Sequence, residues 1–309
     1  MGDRLKGKVA LVTGSGRGIG REEALALSAE GACLVINDYG VDLEGADPTP
    51  DPAERVVAEI REKGGKAVAN TDSVADFQGA KRMVQAALDN FGRLDILVNN
   101  AGISQHLLFL DMTEADWDIM IAVHLKGTFN TCRHAAEVMR DQGYGRIINT
   151  ASSQWRNPEA RSSYAAAKGG IVSLTWDLAW ELRNYGITCN AIAPMGQTRM
   201  YQAAGAFHEV MTKAGLLRAK RLDEIEDRPG PEFVPPMVVY LASDLAPQVT
   251  GCIFRVGAGK VAIYSHPTET RGIYKDYHGK GPWTLDELEK LLPGTVFAGG
   301  VKAPHIPLE

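Results

Sequence analysis

The stretch "VALVTGSGRGIGREEALAL", residues 9–27, decides the fold class. Residues 9–14 are apolar or β-branched and are typical of a buried strand, whereas residues 18–31 have the apolar spacing of a helix. Glycines 14, 16, 18 and 20 fill the junction between the two. Glycines there permit a tight turn and let backbone N–H groups approach a phosphate, which the positive end of the helix dipole also attracts. Because the pattern opens the first β-α unit, it predicts a dinucleotide-binding loop rather than an ordinary glycine turn.

The alternation of strand and helix continues along the chain. Further strand-like runs lie at 33–38, 66–70, 94–102, 145–152 and 187–194, and helical patterns lie at 52–65, 76–92, 113–141 and 162–184. Continuously apolar strands between helices are typical of a parallel sheet that is covered on both faces. We therefore predict an α/β fold, a single Rossmann-type doubly wound parallel sheet over residues 1–259. The alternation stops after Gly259, so residues 260–309 are expected to form a C-terminal extension that is too short for its own core.

Composition excludes several classes of function. The chain has 309 residues, 33 of them basic and 38 acidic, so it lacks the positive surface of a nucleic-acid-binding protein. Its apolar runs are far shorter than the roughly 20 residues that span a bilayer. The start shows no secretory signal, and we expect a cytoplasmic protein. The four cysteines form no CxxC pair and share no spacing with histidines, so no metal site is expected.

A candidate catalytic set follows the fifth strand. Tyr164 and Lys168 are four residues apart and share one face of a predicted helix. A nearby lysine ammonium and the positive nicotinamide ring stabilise a phenolate, which lowers a tyrosine pKa from its usual value of about 10. Ser152 ends the strand "GRIINTAS" and can hydrogen-bond a substrate oxygen. Together they predict a hydride-transfer site in which Tyr164 takes the proton of an alcohol.

Asp38 ends the second strand and bears on the choice of cofactor. A carboxylate at this place accepts hydrogen bonds from the adenosine ribose and repels a 2′-phosphate, which favours NAD over NADP. Arg17 in the glycine loop argues the other way, because it could attract that phosphate. We weigh Asp38 more heavily, since its repulsion would act at close range.

Taken together, these motifs resemble the short-chain dehydrogenase/reductase family. The matches run in family order over residues 6–259: "TGSGRGIG" (13–20), "NNAG" (99–102), Ser152, and Tyr164 with Lys168. The resemblance implies that Asp72 and Ser73 contact adenine, that residues from Pro194 to about Glu232 form a lid, and that the protein is a homodimer or homotetramer. The cofactor-binding residues that it implies are Gly14, Arg17, Gly18, Ile19, Gly20, Asp38, Asp72, Ser73, Asn99, Ala101, Gly102, Tyr164, Lys168, Pro194 and Thr198.

Within the family, stretches such as "VINDYG", "VHLKGTF" and "FRVGAGKV" resemble the (3R)-hydroxyacyl-CoA dehydrogenase part of the type 2 multifunctional enzymes and their bacterial relatives. This resemblance implies an NAD-dependent 3-hydroxyacyl-CoA dehydrogenase of lipid metabolism. Ser152, Gln154 and Trp155 are expected to face the substrate. Two alternatives stay open: a dehydrogenase of a steroid, terpenoid or other hydrophobic alcohol, and a nucleotide-sensing protein without turnover.

His124 interrupts the apolar run "IMIAVHLKGTF", residues 119–129. A buried histidine needs a hydrogen-bond partner, and a core histidine with such a partner is the ordinary interpretation. The family resemblance places His124 where most members have an asparagine, whose backbone carbonyl holds a water that links Lys168 to solvent. On that ground we predict that His124 supports the catalytic residues.

Overall fold

Eight strands of the described chain form one sheet, and in chain order they are β1 (Val9–Thr13), β2 (Cys33–Asn37), β3 (Lys66–Asn70), β4 (Ile96–Asn99), β5 (Gly145–Thr150), β6 (Ile187–Pro194), β7 (Ile253–Gly257) and β8 (Lys260–Ile263). Their order in the sheet is β3-β2-β1-β4-β5-β6-β7-β8. All neighbouring strands are parallel except β7 and β8. The strand order reverses direction between β1 and β4, and ligands bind beyond the carboxyl ends of the strands at such a point. The predicted doubly wound sheet is confirmed.

Seven helices among the described residues up to Ala242 connect or cover these strands. The structure is a computed structural model that describes residues 2–42, 46, 48–156, 160–198, 210–216 and 229–298. A π-helical turn, Ile121–Lys126, joins the fourth helix to the fifth. The helices are α1 (Gly18–Ala29), α2 (Asp51–Glu62), α3 (Phe77–Phe91), α4 (Glu114–Met120), α5 (Gly127–Gln142), α6 (Ser162–Leu182) and α7 (Pro235–Ala242).

The core lies on both faces of the sheet. Successive side chains of β1 point to opposite faces, so that Ala10 and Val12 pack with residues of α1, α2 and α7, while Val9 and Leu11 pack with residues of α3 and α5. Each large apolar side chain buried in this way contributes roughly 1.5–3 kcal/mol. The two layers hold the carboxyl ends of β1, β4 and β5 in fixed positions, and these ends carry the candidate site.

The sheet continues past the boundary that the sequence predicts at Gly259. Ala258 and Gly259 both have positive φ, 53° and 70°, and form a two-residue turn between β7 and β8. Two consecutive positive φ angles match the type I′ turn, whose twist suits a hairpin. Residues 260–263 therefore belong to the sheet, and the chain divides into the units Met1–Tyr264 and Ser265–Glu309.

The second unit contains two short helices within its described residues, Tyr277–Lys280 and Leu285–Leu291. Thr284 and Glu287 form a capping box at the start of the latter helix, where the sequence shows a capped helical pattern. Lys275 donates to Glu287 at 2.6 Å and, as the main cause, lowers the pKa of that carboxyl to about 2.

None of the described helices combines the length and the hydropathy that a membrane span requires. The four cysteines are free. Among the residues that the structure describes, no three of His, Cys, Asp and Glu come together in a group suited to a metal ion.

Candidate active site

The glycine loop fits closely against the loop that follows β4. Gly14 has φ +62°, and a Cβ there would stand 2.7 Å from the Cα of Ala101. A Cβ on Gly20 would stand 2.4 Å from the carbonyl oxygen of Gly14. Side chains at these positions would force the two loops apart. The loop can therefore present its backbone to a ligand at the N-terminus of α1 only because these residues are glycines.

A cavity of about 300 Å³ opens between the glycine loop, the end of β2 and the loop after β4. In doubly wound sheets a dinucleotide binds at this position, beyond the carboxyl ends of the strands. Ten of the predicted cofactor-binding residues line it, namely Gly14, Arg17, Gly18, Ile19, Asp38, Asp72, Ser73, Ala101, Gly102 and Thr198. Gly20, Asn99, Tyr164, Lys168 and Pro194 are not part of this lining.

Asp38 is fixed at the cavity by two backbone amides. Its Oδ2 accepts from the N–H of Gly16 and its Oδ1 from the N–H of Gly40, both at 2.8 Å. Arg17 donates to the carbonyl of Val41 at 3.3 Å, so its guanidinium is directed to the loop after β2. The carboxylate thus connects the glycine loop to that loop. Carboxylate oxygens have lone pairs left for ribose hydroxyls, as the prediction of an NAD site requires.

Asp72 and Ser73 lie at the same cavity but have protein partners as well. Asp72 accepts from the Arg82 guanidinium at 2.5 Å and from the Asn70 amide at 2.8 Å. The Ser73 hydroxyl accepts from the N–H of Ala75 at 3.3 Å. These bonds fix the turn after β3, and the contact of Asp72 and Ser73 with adenine stays a prediction.

The neighbouring asparagines of "NNAG" have different surroundings. Asn99 is buried and donates to the Asn149 side chain at 2.9 Å, while its oxygen accepts from the Thr131 hydroxyl at 2.6 Å. Asn100 lines the cavity and donates to the carbonyl of Gly14 at 2.9 Å. Asn99 therefore joins the sheet to α5, and Asn100, which sequence reasoning missed, holds the glycine loop. Successive residues of an extended chain point in opposite directions, and this alternation could have indicated that Asn99 and Asn100 have different roles.

The cavity has nine further lining residues that the sequence analysis did not name, and most of them are apolar and carry no chemical signature. They come from the end of β2, the turn after β3, the loop after β4 and the helical region before α5. They are Asn37, Tyr39, Val41, Asp42, Val74, Ala75, Ile103, Ile119 and Val123.

The predicted catalytic residues come from β5 and α6. Ser152 follows the end of β5, and its hydroxyl accepts from the N–H of Gln154 at 3.3 Å. Tyr164 is in the first turn of α6, and the Nζ of Lys168, one turn later, is 5.5 Å from the centroid of its ring. The same Nζ donates to the carbonyl of Thr150 at 2.5 Å. Since Thr150 and Ser152 leave the same strand, this bond ties α6 to the segment that carries Ser152.

Lys168 is buried, and burial disfavours the charged form of its amine. Burial is the main cause, and repulsion by Arg161 adds to it, lowering the pKa of Lys168 to about 7. A lysine of this kind changes its charge near neutral pH, whereas an exposed lysine does not. The site can therefore hold or release a proton at Nζ under ordinary conditions.

His124 lies on the π-helical turn directly beside Tyr164. Its ring meets the Tyr164 ring edge-on, with centroids 5.2 Å apart, and its Nε2 lies 3.0 Å from the carbonyl oxygen of Ile103. Burial above all, and the charge of Lys168 next, keep the pKa of His124 well below its usual value. The imidazole is therefore neutral at neutral pH. Its backbone carbonyl accepts from the Thr128 hydroxyl at 2.8 Å.

Trp155 takes part in an aromatic cluster. Its ring makes edge-on contacts with Trp176 and Tyr264, with centroids 6.4 and 5.9 Å apart. Gln154, in the same short turn, is buried. The aromatic contacts anchor the turn after Ser152 to α6 and to the end of β8. The prediction that Gln154 and Trp155 bind substrate stays a prediction, and Trp155 has this structural role in addition.

Most of the predicted lid lies outside the described residues. Pro194 ends β6, and Thr198 lines the cavity, where its methyl group is 3.7 Å from the position of a Cβ on Gly18. Residues 199–209 and 217–228 of the lid are beyond the part of the chain that the structure describes.

Comparison with known proteins agrees with this geometry. The family model described as "short chain dehydrogenase" matches residues 8–207, which include the glycine loop and all the candidate catalytic residues. The chain belongs to the short-chain dehydrogenase family. The predicted family and the predicted class of enzyme, an oxidoreductase acting on CH–OH, are thereby confirmed.

Two relatives show how far the similarity extends. The chain is 42% identical over 257 residues to the Mus musculus protein "Peroxisomal multifunctional enzyme type 2". The aligned residues make up 83% of this chain but only 32% of that protein. It is 35% identical over 281 residues to "Hydroxyacyl-CoA dehydrogenase ChsB1" of Mycobacterium tuberculosis (strain ATCC 25618 / H37Rv), covering 88% and 84% of the two chains. This short-chain dehydrogenase thus spans about a third of the multifunctional enzyme that it matches.

Two solved structures from Mycobacterium avium share the fold. A short chain dehydrogenase superposes with a TM-score of 0.78 at 38% identity and covers 98% of both chains. Carveol dehydrogenase in complex with NAD superposes with a TM-score of 0.74 at 28% identity, covering 83% of this chain and 98% of that one.

Proposed function

We propose that this short-chain dehydrogenase oxidises the secondary alcohol of a 3-hydroxyacyl-CoA with NAD, and reduces the corresponding ketone in the reverse direction. The observation that carries the proposal is the position of Lys168, whose Nζ contacts the Tyr164 ring and bonds to the carbonyl of Thr150, two residues before Ser152, in a fold whose glycine loop and Asp38 line a cavity. The substrate class is supported by the relative that is named a hydroxyacyl-CoA dehydrogenase.

The chain's own residues have separate roles in this reaction. NAD, when bound, supplies the hydride acceptor. Tyr164 takes the hydroxyl proton of the substrate, and Ser152 holds the substrate oxygen by a hydrogen bond. Lys168 in its charged form provides positive charge next to the phenol and would hold the nicotinamide ribose when NAD is bound. Residues of the glycine loop would hold the pyrophosphate at the N-terminus of α1.

Asp38 supports the choice of NAD rather than NADP. Both carboxylate oxygens are fixed by backbone amides, so the carboxylate cannot readily turn away from a 2′-phosphate. Carveol dehydrogenase, with the same fold, is described as bound to NAD. We also propose that the enzyme is a cytoplasmic homodimer or homotetramer, as the family resemblance implies.

The test compares free secondary alcohols with their CoA thioesters, using purified full-length enzyme and NAD, with NADH absorbance as the readout. We expect turnover of the 3-hydroxyacyl-CoA and little turnover of the free 3-hydroxy acid. Tyr164→Phe should abolish turnover and retain NAD binding, whereas Tyr274→Phe, at a tyrosine that is 88% exposed, should change neither. A Tyr164→Phe variant that keeps its activity would refute the mechanism.

The second candidate substrate is a steroid, terpenoid or other hydrophobic alcohol. It is favoured by the structural similarity to carveol dehydrogenase. Faster turnover of free hydrophobic alcohols than of thioesters would support it. If NAD binds but no compound of either class is oxidised, the nucleotide-sensing alternative would be favoured instead.

A further inference from the structure

Arg161 directly precedes α6 and lies against the ring of Tyr164. Its guanidinium carbon is 4.5 Å from the centroid of that ring, within the distance of about 6 Å at which a cation and an aromatic face attract each other. Its Nη2 donates to the Ser104 hydroxyl, in the loop after β4, at 3.0 Å. The guanidinium is therefore held between two elements of the site, and the motifs of the sequence analysis did not include it.

The charge of Arg161 acts on the neighbouring basic groups. It contributes, after burial, to lowering the pKa of Lys168, and it also lowers the pKa of His124. Burial lowers the pKa of Lys168 to about 7, so Lys168 loses its charge more readily than an exposed lysine does. An arginine keeps its proton at any pH in this range. Of the three basic side chains placed against Tyr164, Arg161 thus supplies the permanent charge.

We propose that Arg161 is a positioning residue for Tyr164, whose guanidinium, anchored to Ser104, fixes the tyrosine ring and stabilises its phenolate form. The inference rests on the proposed function, in which Tyr164 takes the substrate proton. A cation on the face of the ring is attracted more strongly when the ring carries negative charge. Arg161 therefore adds to the charge of Lys168, and its guanidinium carbon lies nearer to the Tyr164 ring centroid, at 4.5 Å, than the Nζ of Lys168 does, at 5.5 Å.

The other groups around Tyr164 do not replace this charge. His124, from the π-helical turn, is neutral, and His106 lies 3.5 Å from the Ser104 hydroxyl. On α4, which packs against α6, the carboxylate of Asp116 accepts a hydrogen bond from the N–H of Thr113 at 2.9 Å. The remaining acidic residues of that helix, Glu114 and Asp118, are exposed to solvent.

The test measures the ionisation of Tyr164 in the full-length enzyme without substrate. Phenolate formation is followed by near-ultraviolet absorbance against pH, and the signal of Tyr164 is isolated by subtracting the matching Tyr164→Phe variant. Arg161→Gln should raise the Tyr164 midpoint by about one pH unit, and Arg161→Lys should restore part of the shift. The matched control is Arg156→Gln, because Arg156 lies over the Tyr264 ring instead and should leave the midpoint unchanged.

Ser104→Ala gives a second, milder variant, since it removes only the anchor of the guanidinium. It should raise the midpoint by less than Arg161→Gln does. If Arg161→Gln fails to fold, as judged by circular dichroism, Ser104→Ala and Arg161→Lys decide the question. The proposal would be overturned if the folded Arg161 and Ser104 variants had the same Tyr164 midpoint as the Arg156→Gln control.

Kinetics with a 3-hydroxyacyl-CoA and NAD provide the functional readout. The acid limb of kcat/KM should move upward in Arg161→Gln by the same amount as the spectroscopic midpoint, with unchanged affinity for NAD. A rise in KM with an unmoved limb would identify Arg161 as a substrate contact and overturn the proposal. Absence of turnover by the wild type would refute the proposed function, whereas the absorbance titration would still decide the role of Arg161.

Discussion

Glu23 is a buried carboxyl group on α1 with no stabilising partner among the described residues. Neither carboxylate oxygen has a hydrogen bond, and burial raises the pKa of Glu23 to about 8. The folded protein therefore holds Glu23 protonated, whereas the unfolded chain ionises near pH 4.5. It follows that the ionisation of Glu23 costs no stability below about pH 4.5, costs progressively more as the pH rises to about 8, and costs a constant amount above that.

Glu23→Gln should remove this pH-dependent cost, because a neutral amide has nearly the same shape as the protonated carboxyl group. We expect the variant to be more stable than the wild type at pH 9, with a difference that shrinks by about 1.4 kcal/mol per pH unit below pH 8. Denaturant unfolding at several pH values measures it. Glu62→Gln, at an exposed glutamate of α2, is the control and should show no such trend. Parallel stability curves for Glu23→Gln and the wild type would contradict the prediction.

Asp38 allows a prediction about the cofactor. Asp38→Asn removes the negative charge and keeps an oxygen that can accept from one of the two loop amides, so it disturbs the loop less than alanine would. We expect kcat/KM with NADP, relative to NAD, to rise about tenfold or more, which corresponds to roughly 1.4 kcal/mol. Asp51→Asn, at an exposed residue that begins α2, serves as the control. An unchanged NADP/NAD ratio would show that Asp38 acts only on the loop.

At the scale of elements, the π-helical turn sets the position of His124. The sequence predicts one helical stretch over 113–141, but the structure has α4, the turn Ile121–Lys126 and α5 in its place. A periodicity argument cannot detect one widened turn, since the apolar spacing on either side stays helical. π-Helical turns are frequent at functional sites, and here the turn directs an imidazole at Tyr164.

His124→Asn should retain most activity, because an amide can still bond to the backbone of Ile103. His124→Leu should lose activity with a small change in melting temperature, since it fills the space but leaves that backbone group without its partner. Steady-state kinetics and thermal unfolding distinguish the two effects. Equal activity in both variants would mean that His124 is an ordinary core residue.

The sequence predicts β3 and β6 with the bounds that the structure has, residues 66–70 and 187–194. β6 is buried along most of its length, whereas β3 is a partly exposed edge strand whose bounds are marked by the helical patterns on either side. By contrast, β8 was missed because it is a short, exposed edge strand with no alternation strong enough to detect. Candidate catalytic residues could be named from their spacing. Arg161 could not, because its contact with Tyr164 depends on how the chain enters α6.

At the scale of the whole molecule, the hydrophobic core belongs to the first unit. All members of the three core clusters lie between Leu5 and Tyr264. The second unit, Ser265–Glu309, has its own short helices, and the residues of the helix Leu285–Leu291 are not buried. The core clusters that cover the sheet are therefore made of residues up to Tyr264.

Ending the chain after Tyr264 should leave the folded sheet intact. We expect a far-ultraviolet circular dichroism spectrum of the same type, a melting temperature within a few degrees of the full chain, and retained NAD affinity. Ending the chain after Gly259 is the matched comparison, because it also removes β8 and the Tyr264 contact with Trp155, and it should be clearly less stable. If the chain that ends after Tyr264 also fails to fold, the prediction is contradicted.

The β7–β8 hairpin also bears on the order in which the sheet is built. The parallel strand pairs form only after a crossover connection has closed, whereas a two-residue turn brings β7 and β8 together within microseconds. During synthesis, β6 presents an open edge to other nascent chains until residues 253–263 are available. We expect the hairpin to add to β6 as a preformed pair, which shortens the time during which the growing sheet can aggregate.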